Sequence, residues 1–165
     1  MPEFETIVFY AAILAALGSG IIGGVFFAFS TSVMRALDRM PAPSAAAAMQ
    51  HINIAIINPW FLGVFLGTAI ACLALTVSSL VRWGAPGFLY IFAGSIIYFA
   101  GSFGVTILLN VPLNNKLAAA DPASAGAAEL WADYRANWTF WNHIRAAASV
   151  LASVSFTLAL TSLER

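Results

Sequence analysis

Charge is what this chain has least of. Seven Lys and Arg and seven Asp and Glu amount to 8% of its 165 residues and cancel to a net charge of zero. A soluble domain carries about 25% charged residues, so water is excluded as the solvent for most of the surface. The balance, with no basic cluster, also excludes a nucleic-acid surface or a polybasic membrane anchor. Cysteine is nearly absent: Cys72 stands alone, which rules out an internal disulfide and a thiolate metal site and leaves it a packing role. There are two histidines, His51 and His143. A metal site built on them lacks a third ligand from Asp or Glu within the apolar runs, so no metal is expected. The N-terminus carries Glu3 and Glu5 where a secretory signal is positively charged. The run behind them is too long for a signal core, so it is expected to be retained as a first span.

What is present is hydrocarbon: 61% of the residues are hydrophobic and the mean hydropathy is +0.88. A bilayer core about 30 Å thick needs roughly 20 apolar residues in a helix. Four runs supply them, at about 6–34, 54–81, 87–109 and 146–163. This predicts an all-α integral membrane protein, an antiparallel four-helix bundle over residues 1–165 with the lipid bilayer as its main partner. Gly20 with Gly24, Ser19 with Gly23, and Gly63 with Gly67 form small-xxx-small steps. Such steps let helix backbones approach closely in lipid, and they offer faces for a homo-oligomer.

The breaks between runs are marked by proline and charge. Arg35, Asp38 and Arg39 followed by Pro41 and Pro43 end the first span, because proline removes a donor and disfavours helix in the residue before it. Ser44 is predicted to cap a short alanine-rich helix. Pro59, inside the second run, is predicted to kink it and release a carbonyl near Asn58. Asp121 and Pro122 are predicted to cap a helix that carries Glu129, Trp131, Asp133, Tyr134 and Arg135 into the last span.

Antiparallel packing would gather the polar residues at one membrane face. Ser30 and Arg35 come from the first span, Gln50, His51, Asn53 and Asn58 from the second, Asn110 and Asn114 from the third, and Asn142, His143 and Arg145 from the fourth. Glu3, Glu5, Arg82, Glu164 and Arg165 form a solvated rim at the other face. At about 100° per residue, Trp131, Trp138, Asn142, Arg145 and Ser149 share one stripe, with His143 roughly a quarter-turn away. Asn142 and Arg145 are therefore expected inward, while the choice between His51 and Asn53 stays open. Membrane tryptophans often serve only as interfacial anchors and asparagines as helix glue. A charge at mid-membrane, however, costs about 2.5–3.5 kcal/mol on insertion scales, and a polar pocket offsets that cost. Arg35, Arg39, Lys116 and Arg135 outnumber Arg82 and Arg165. The positive-inside rule then turns the pocket toward the cytoplasm of a plasma (inner) membrane, with both termini outside.

Four stretches in order, Gly23–Met34, Gln50–Asn53, Asn110–Asn114 and Trp141–Arg145, resemble the anthrone oxygenase family of small four-span membrane proteins. The resemblance implies oxidation of an anthrone, a polycyclic phenolic substrate, to an anthraquinone by O₂ without metal, flavin or other cofactor. It implies a pocket lined by Trp138, Trp141 and phenylalanines, with Gln50, Asn53, Asn58, Asn110 and Asn114 as further substrate-binding candidates. Arg145 with Asn142 or Asn110 would hold the substrate oxyanion, and His143 or His51 would act as base. Two alternatives belong to other classes. One is a non-catalytic small-ligand binding or assembly protein. The other is a haem held by His51 and His143 between helices.

Overall fold

Apolar runs of this length bury their backbone polar groups in lipid only by closing every hydrogen bond internally, which makes each a helix. The computed structural model describes residues 3–124 and 126–163, so Glu164 and Arg165 lie outside the described residues. It contains α1 (Glu3–Leu37), α2 (Ala42–Ala55), α3 (Pro59–Val81), α4 (Phe88–Ala118) and α5 (Ala127–Leu163). All but α2 are long and apolar enough to cross a bilayer. The four long helices pack in a ring: α1 lies against α3 and α5, and α4 lies against the same two. The turn between α3 and α4 closes through Gly84 and Gly87, whose positive φ of 86° and 75° is open to glycine without steric cost.

Small residues are frequent on the faces these helices turn inward, beside larger ones such as Ile22, Tyr98 and Phe156. On α1, Ile7, Tyr10, Leu14, Leu17 and Ile21 point outward while Ala12, Ala15, Ser19 and Ile22 are buried. Lipid tails are as apolar as leucine, so association favours small residues that bring backbones together. A Cβ on Gly18 would collide with the Thr68 hydroxyl of α3. One on Gly101 would lie 2.6 Å from the Ala148 Cβ of α5. Gly24, Gly63 and Gly67 instead face open space, so the Gly63–Gly67 step lies outside the helix contacts among the described residues.

Several element ends differ from their sequence-based expectation. Pro59 does not kink a continuous span, because the chain leaves the helix after Ala55 and restarts at Pro59. Asn58 is extended and caps α3, its Oδ1 accepting from the backbone N–H of Trp60 at 3.1 Å and of Phe61 at 3.0 Å. Pro59 follows at the first helical position, where a missing N–H costs nothing. Helix α2 opens behind Pro41 with no side-chain cap, so Ser44 does not play that part. Asp121 accepts the Ala123 N–H in a turn, and α5 begins only at Ala127, running 37 residues without a break. The third span passes through Asn110 and Pro112 to Ala118, the proline coming two residues after the end of a π-helical stretch.

Helix α2 folds across the end of the ring. Its Ala45, Ala46 and Met49 pack in one cluster with Met34, Leu37, Leu117, Trp131, Tyr134 and Trp138. Gln50 donates to the carbonyls of Leu117 at 2.8 Å and Ala120 at 3.0 Å, satisfying acceptors that a helix C-terminus leaves open.

Candidate functional site

The site begins on α5, where Trp138, Asn142, Arg145 and Ser149 recur every three or four residues and are all buried. Asn142 donates through Nδ2 to the Phe26 carbonyl and to Ser30 Oγ, each at 2.7 Å. Its Oδ1 accepts from Arg145 Nη2 at 2.6 Å. The amide therefore orients the guanidinium, which also donates from Nη1 to Thr106 Oγ1 at 3.3 Å. Arg145 Cζ lies 4.1 Å from the Phe26 ring centroid and 5.1 Å from that of Trp138, so ring faces provide part of its stabilisation. Next to it, Ser149 donates to Ser102 at 2.9 Å, and Asn110 donates to the Trp138 carbonyl at 3.2 Å.

No carboxylate pairs with this guanidinium among the described residues. The ion pairs found are Arg82–Glu5, Lys116–Asp133 and Arg135–Asp38, all at partly exposed positions. Arg145 is 5% exposed and its Nε lacks a partner, as do Asn110 Oδ1 and Trp138 Nε1. Leaving a buried charge without a counter-ion is expensive, and what offsets that cost is the pair of hydrogen bonds to Asn142 and Thr106 together with the two ring faces.

Arg145 opens on a cavity of about 240 Å³, somewhat below the roughly 300–1,000 Å³ typical of ligand pockets. Rings of Phe26, Phe29, Phe61, Phe65 and Trp138 form its walls, and among the described residues Arg145 is the sole ionisable one lining it. Thr106 lies beside the guanidinium, and Asn53 and Asn114 contribute further polar groups to the lining. The last two are joined through Tyr134, whose hydroxyl donates to Asn114 Oδ1 at 2.9 Å and accepts from Asn53 at 3.4 Å.

Ser30, Ser102, Thr106 and Asn110 all sit in π-helical stretches, Phe29–Val33 on α1 and Phe99–Gly104 and Thr106–Asn110 on α4. A π turn widens the helix by a residue and is common at functional sites. Here the two widened helices flank Asn142 and Arg145.

The structure thus brings Arg145, Asn142, Asn110 and Trp138 together and adds Asn53 and Asn114 to the cavity wall. It does not bring the others. Asn58 is used up as a cap and Gln50 as a tie to α4. Trp141 is half-buried, edge-on to Phe140 at 4.9 Å, and lines no part of the cavity. His51 is exposed on α2, and His143 is exposed in a surface groove with Arg35, Asp38 and Arg135. Of the open pair on α2, Asn53 faces the cavity. Phe26 and Thr106 are the site residues that sequence reasoning passed over. The four-residue spacing of Ser102, Thr106 and Asn110 was the available signal for the second of them.

The anthrone oxygenase family model matches residues 58–155, more than half of the chain, from the cap of α3 through the part of α5 that carries Trp138, Asn142 and Arg145. No curated protein and no solved structure matches the chain. An all-α membrane protein with four crossing helices, this chain belongs to the anthrone oxygenase family.

Proposed function

We propose that the cavity binds a flat polycyclic phenol of the anthrone type and promotes its oxidation by O₂, with Arg145 as the residue that makes the substrate acidic. The observation that carries this reading is a buried guanidinium without a counter-ion, facing aromatic walls. Aromatic faces suit fused rings. A cation held in a dry site stabilises an oxyanion far better than water does. Loss of a methylene proton turns the anthrone into an enolate whose oxygen lies against Arg145. The proton passes to water near Asn53, Asn114 and the Tyr134 hydroxyl. The enolate carbon reduces O₂, a C–O bond forms, the peroxide oxygen takes a proton back from that water to give a hydroperoxide, and elimination of water leaves the second quinone carbonyl. One anthrone and one O₂ become one quinone and one water. In this reading His51 and His143 take no part, and Asn142 acts by positioning Arg145. The site end faces the cytoplasm of the plasma membrane, with Arg82 outside.

The test uses protein in lipid nanodiscs with 1,8-dihydroxyanthrone, following quinone absorbance together with O₂ uptake. Arg145→Ala is expected to lower kcat/KM by about 10²–10³, the usual effect of removing an oxyanion donor. It also moves the rising limb of the pH–rate profile to higher pH. The sign follows from charge: a cation favours the ionised substrate and lowers its pKa, so removing it raises that pKa. A folded Arg145→Ala protein with wild-type rate and profile would overturn the proposal.

A second reading is favoured by one observation, that among the described residues the cavity lining contains no carboxylate or imidazole to serve as base. In it the protein only binds an acidic aromatic molecule. Saturable binding of 1,8-dihydroxyanthraquinone without any acceleration of anthrone oxidation decides for that reading.

A further inference from the structure

The cavity has one closed end and one open side. At the end of the ring α2 covers it, pinned by the Gln50 bonds to Leu117 and Ala120 and by the Asn53–Tyr134–Asn114 link. The residues of α2 beneath belong to a packed cluster with Leu117, Trp131 and Tyr134. The open side lies between α3 and α4. There Leu66 and Ile107 line the cavity and yet are 42% and 47% exposed, and the rim extends to Ile57, 69% exposed in the connection from α2 to α3. A residue that both lines a cavity and faces outward marks its rim.

This rim is aliphatic and continues into the outer surface of the ring, where Ile70 and Leu73 on α3 and Leu108 on α4 are also exposed. Its depth can be judged from Trp60, 87% exposed at the start of α3, a residue type that gathers at the membrane interface. Leu66 lies six residues further along, about 9 Å deeper at a 1.5 Å rise per residue, which is inside the hydrocarbon. Water-soluble ligands would meet lipid tails there, while molecules dissolved in the tails meet an open door.

We infer that the cavity is loaded sideways from the bilayer through the gap between α3 and α4, and that its ligand is a membrane-dissolved aromatic molecule arriving in its neutral form. An ion would not cross the aliphatic rim; ionisation belongs at Arg145, after entry. This rests on the cavity being the binding site, but not on any oxidation taking place there.

The test needs no substrate. p-Benzoylphenylalanine replaces Phe65, which lines the cavity and is 3% exposed, in full-length protein in phosphatidylcholine liposomes. Leu73, on the lipid face, and Phe156, fully buried, serve as controls. After irradiation, mass spectrometry is expected to find phospholipid adducts at Phe65 and Leu73 but not at Phe156. Ile107→Trp, which narrows the rim, is expected to abolish the Phe65 adduct and leave that of Leu73. Phe65 behaving like Phe156 while Leu73 is captured overturns lateral entry. So does capture at Phe65 that persists in Ile107→Trp. A protein that captures lipid at Phe65 but oxidises no anthrone keeps the portal and loses the oxygenase reading, so the two fail separately. With 1,8-dihydroxyanthraquinone as probe, Ile107→Trp is expected to slow both binding and release. Gln50→Ala, which loosens α2, leaves both rates as they were; acceleration in that variant would place the entrance at the aqueous end instead.

Discussion

Arg145 and Asn142 show how one residue sets the terms for its neighbours. The guanidinium is held by an amide on its own helix, a threonine on α4 and two ring faces, none of which neutralises it. Asn142→Ala removes the amide that orients it and the donor that joins α5 to α1 at Phe26 and Ser30. Thermal unfolding in detergent should register a loss of about 1–3 kcal/mol, the cost of leaving a buried polar group unpaired. Replacing Asn142 by Leu and Arg145 by Met together should cost less than Asn142→Ala alone, because an apolar pair leaves no charge behind. A double variant less stable than the single one would mean that the charge itself holds the bundle together. Asn58 gives the contrasting case. Its side chain caps α3 and does not line the Arg145 cavity, so Asn58→Ala should cost about 1 kcal/mol and leave binding of 1,8-dihydroxyanthraquinone unchanged.

At the scale of the helices, small residues and π turns mark the faces that turn inward. Gly101→Val meets the Ala148 Cβ, which cannot move without its backbone, and overpacking of this kind typically costs about 1–3 kcal/mol. A Cβ at Gly63 meets nothing within 4 Å, and Gly63→Leu, on an exposed helix face, should leave the unfolding temperature where it is. If Gly63→Leu abolishes a cross-linked dimer in liposomes while leaving the fold intact, the outer glycine step is an interface between copies of the chain. The buried stripe of α5 was readable from helical phase because the helix is continuous and regular over its whole length. On α4 the same arithmetic fails. Two π stretches add residues to the turn, and each shifts everything beyond it around the axis. The break at Asn58 was misread for a related reason: an Asn-Pro pair reads alike as a kink within a span or as the cap of a new one. Only the position of α2 across the ring end decides for the cap.

For the whole molecule, charge placement and lateral opening matter most. Arg82 pairs with Glu5 at 2.7 Å near the surface, and partly exposed pairs are worth about 0–1 kcal/mol, so Glu5→Gln should hardly move stability. Membrane orientation is checked with single cysteines in a Cys72→Ser background. In intact cells an impermeant maleimide should label Ala85→Cys and spare Ser124→Cys; the reverse pattern inverts the proposed topology. Sequence alone dictates the solvent and the helices, because runs of apolar residues this long have no other way to satisfy their backbones in lipid. It also marks Trp138, Asn142 and Arg145 as one face, since those residues lie on a single regular helix. The cavity belongs to the tertiary structure. Its walls come from all five helices and the connection before α3, residues far apart in the chain whose apolar side chains resemble those facing lipid. Whether an isoleucine lines a binding site or a bilayer depends on which neighbour its helix is packed against, and no local pattern encodes that.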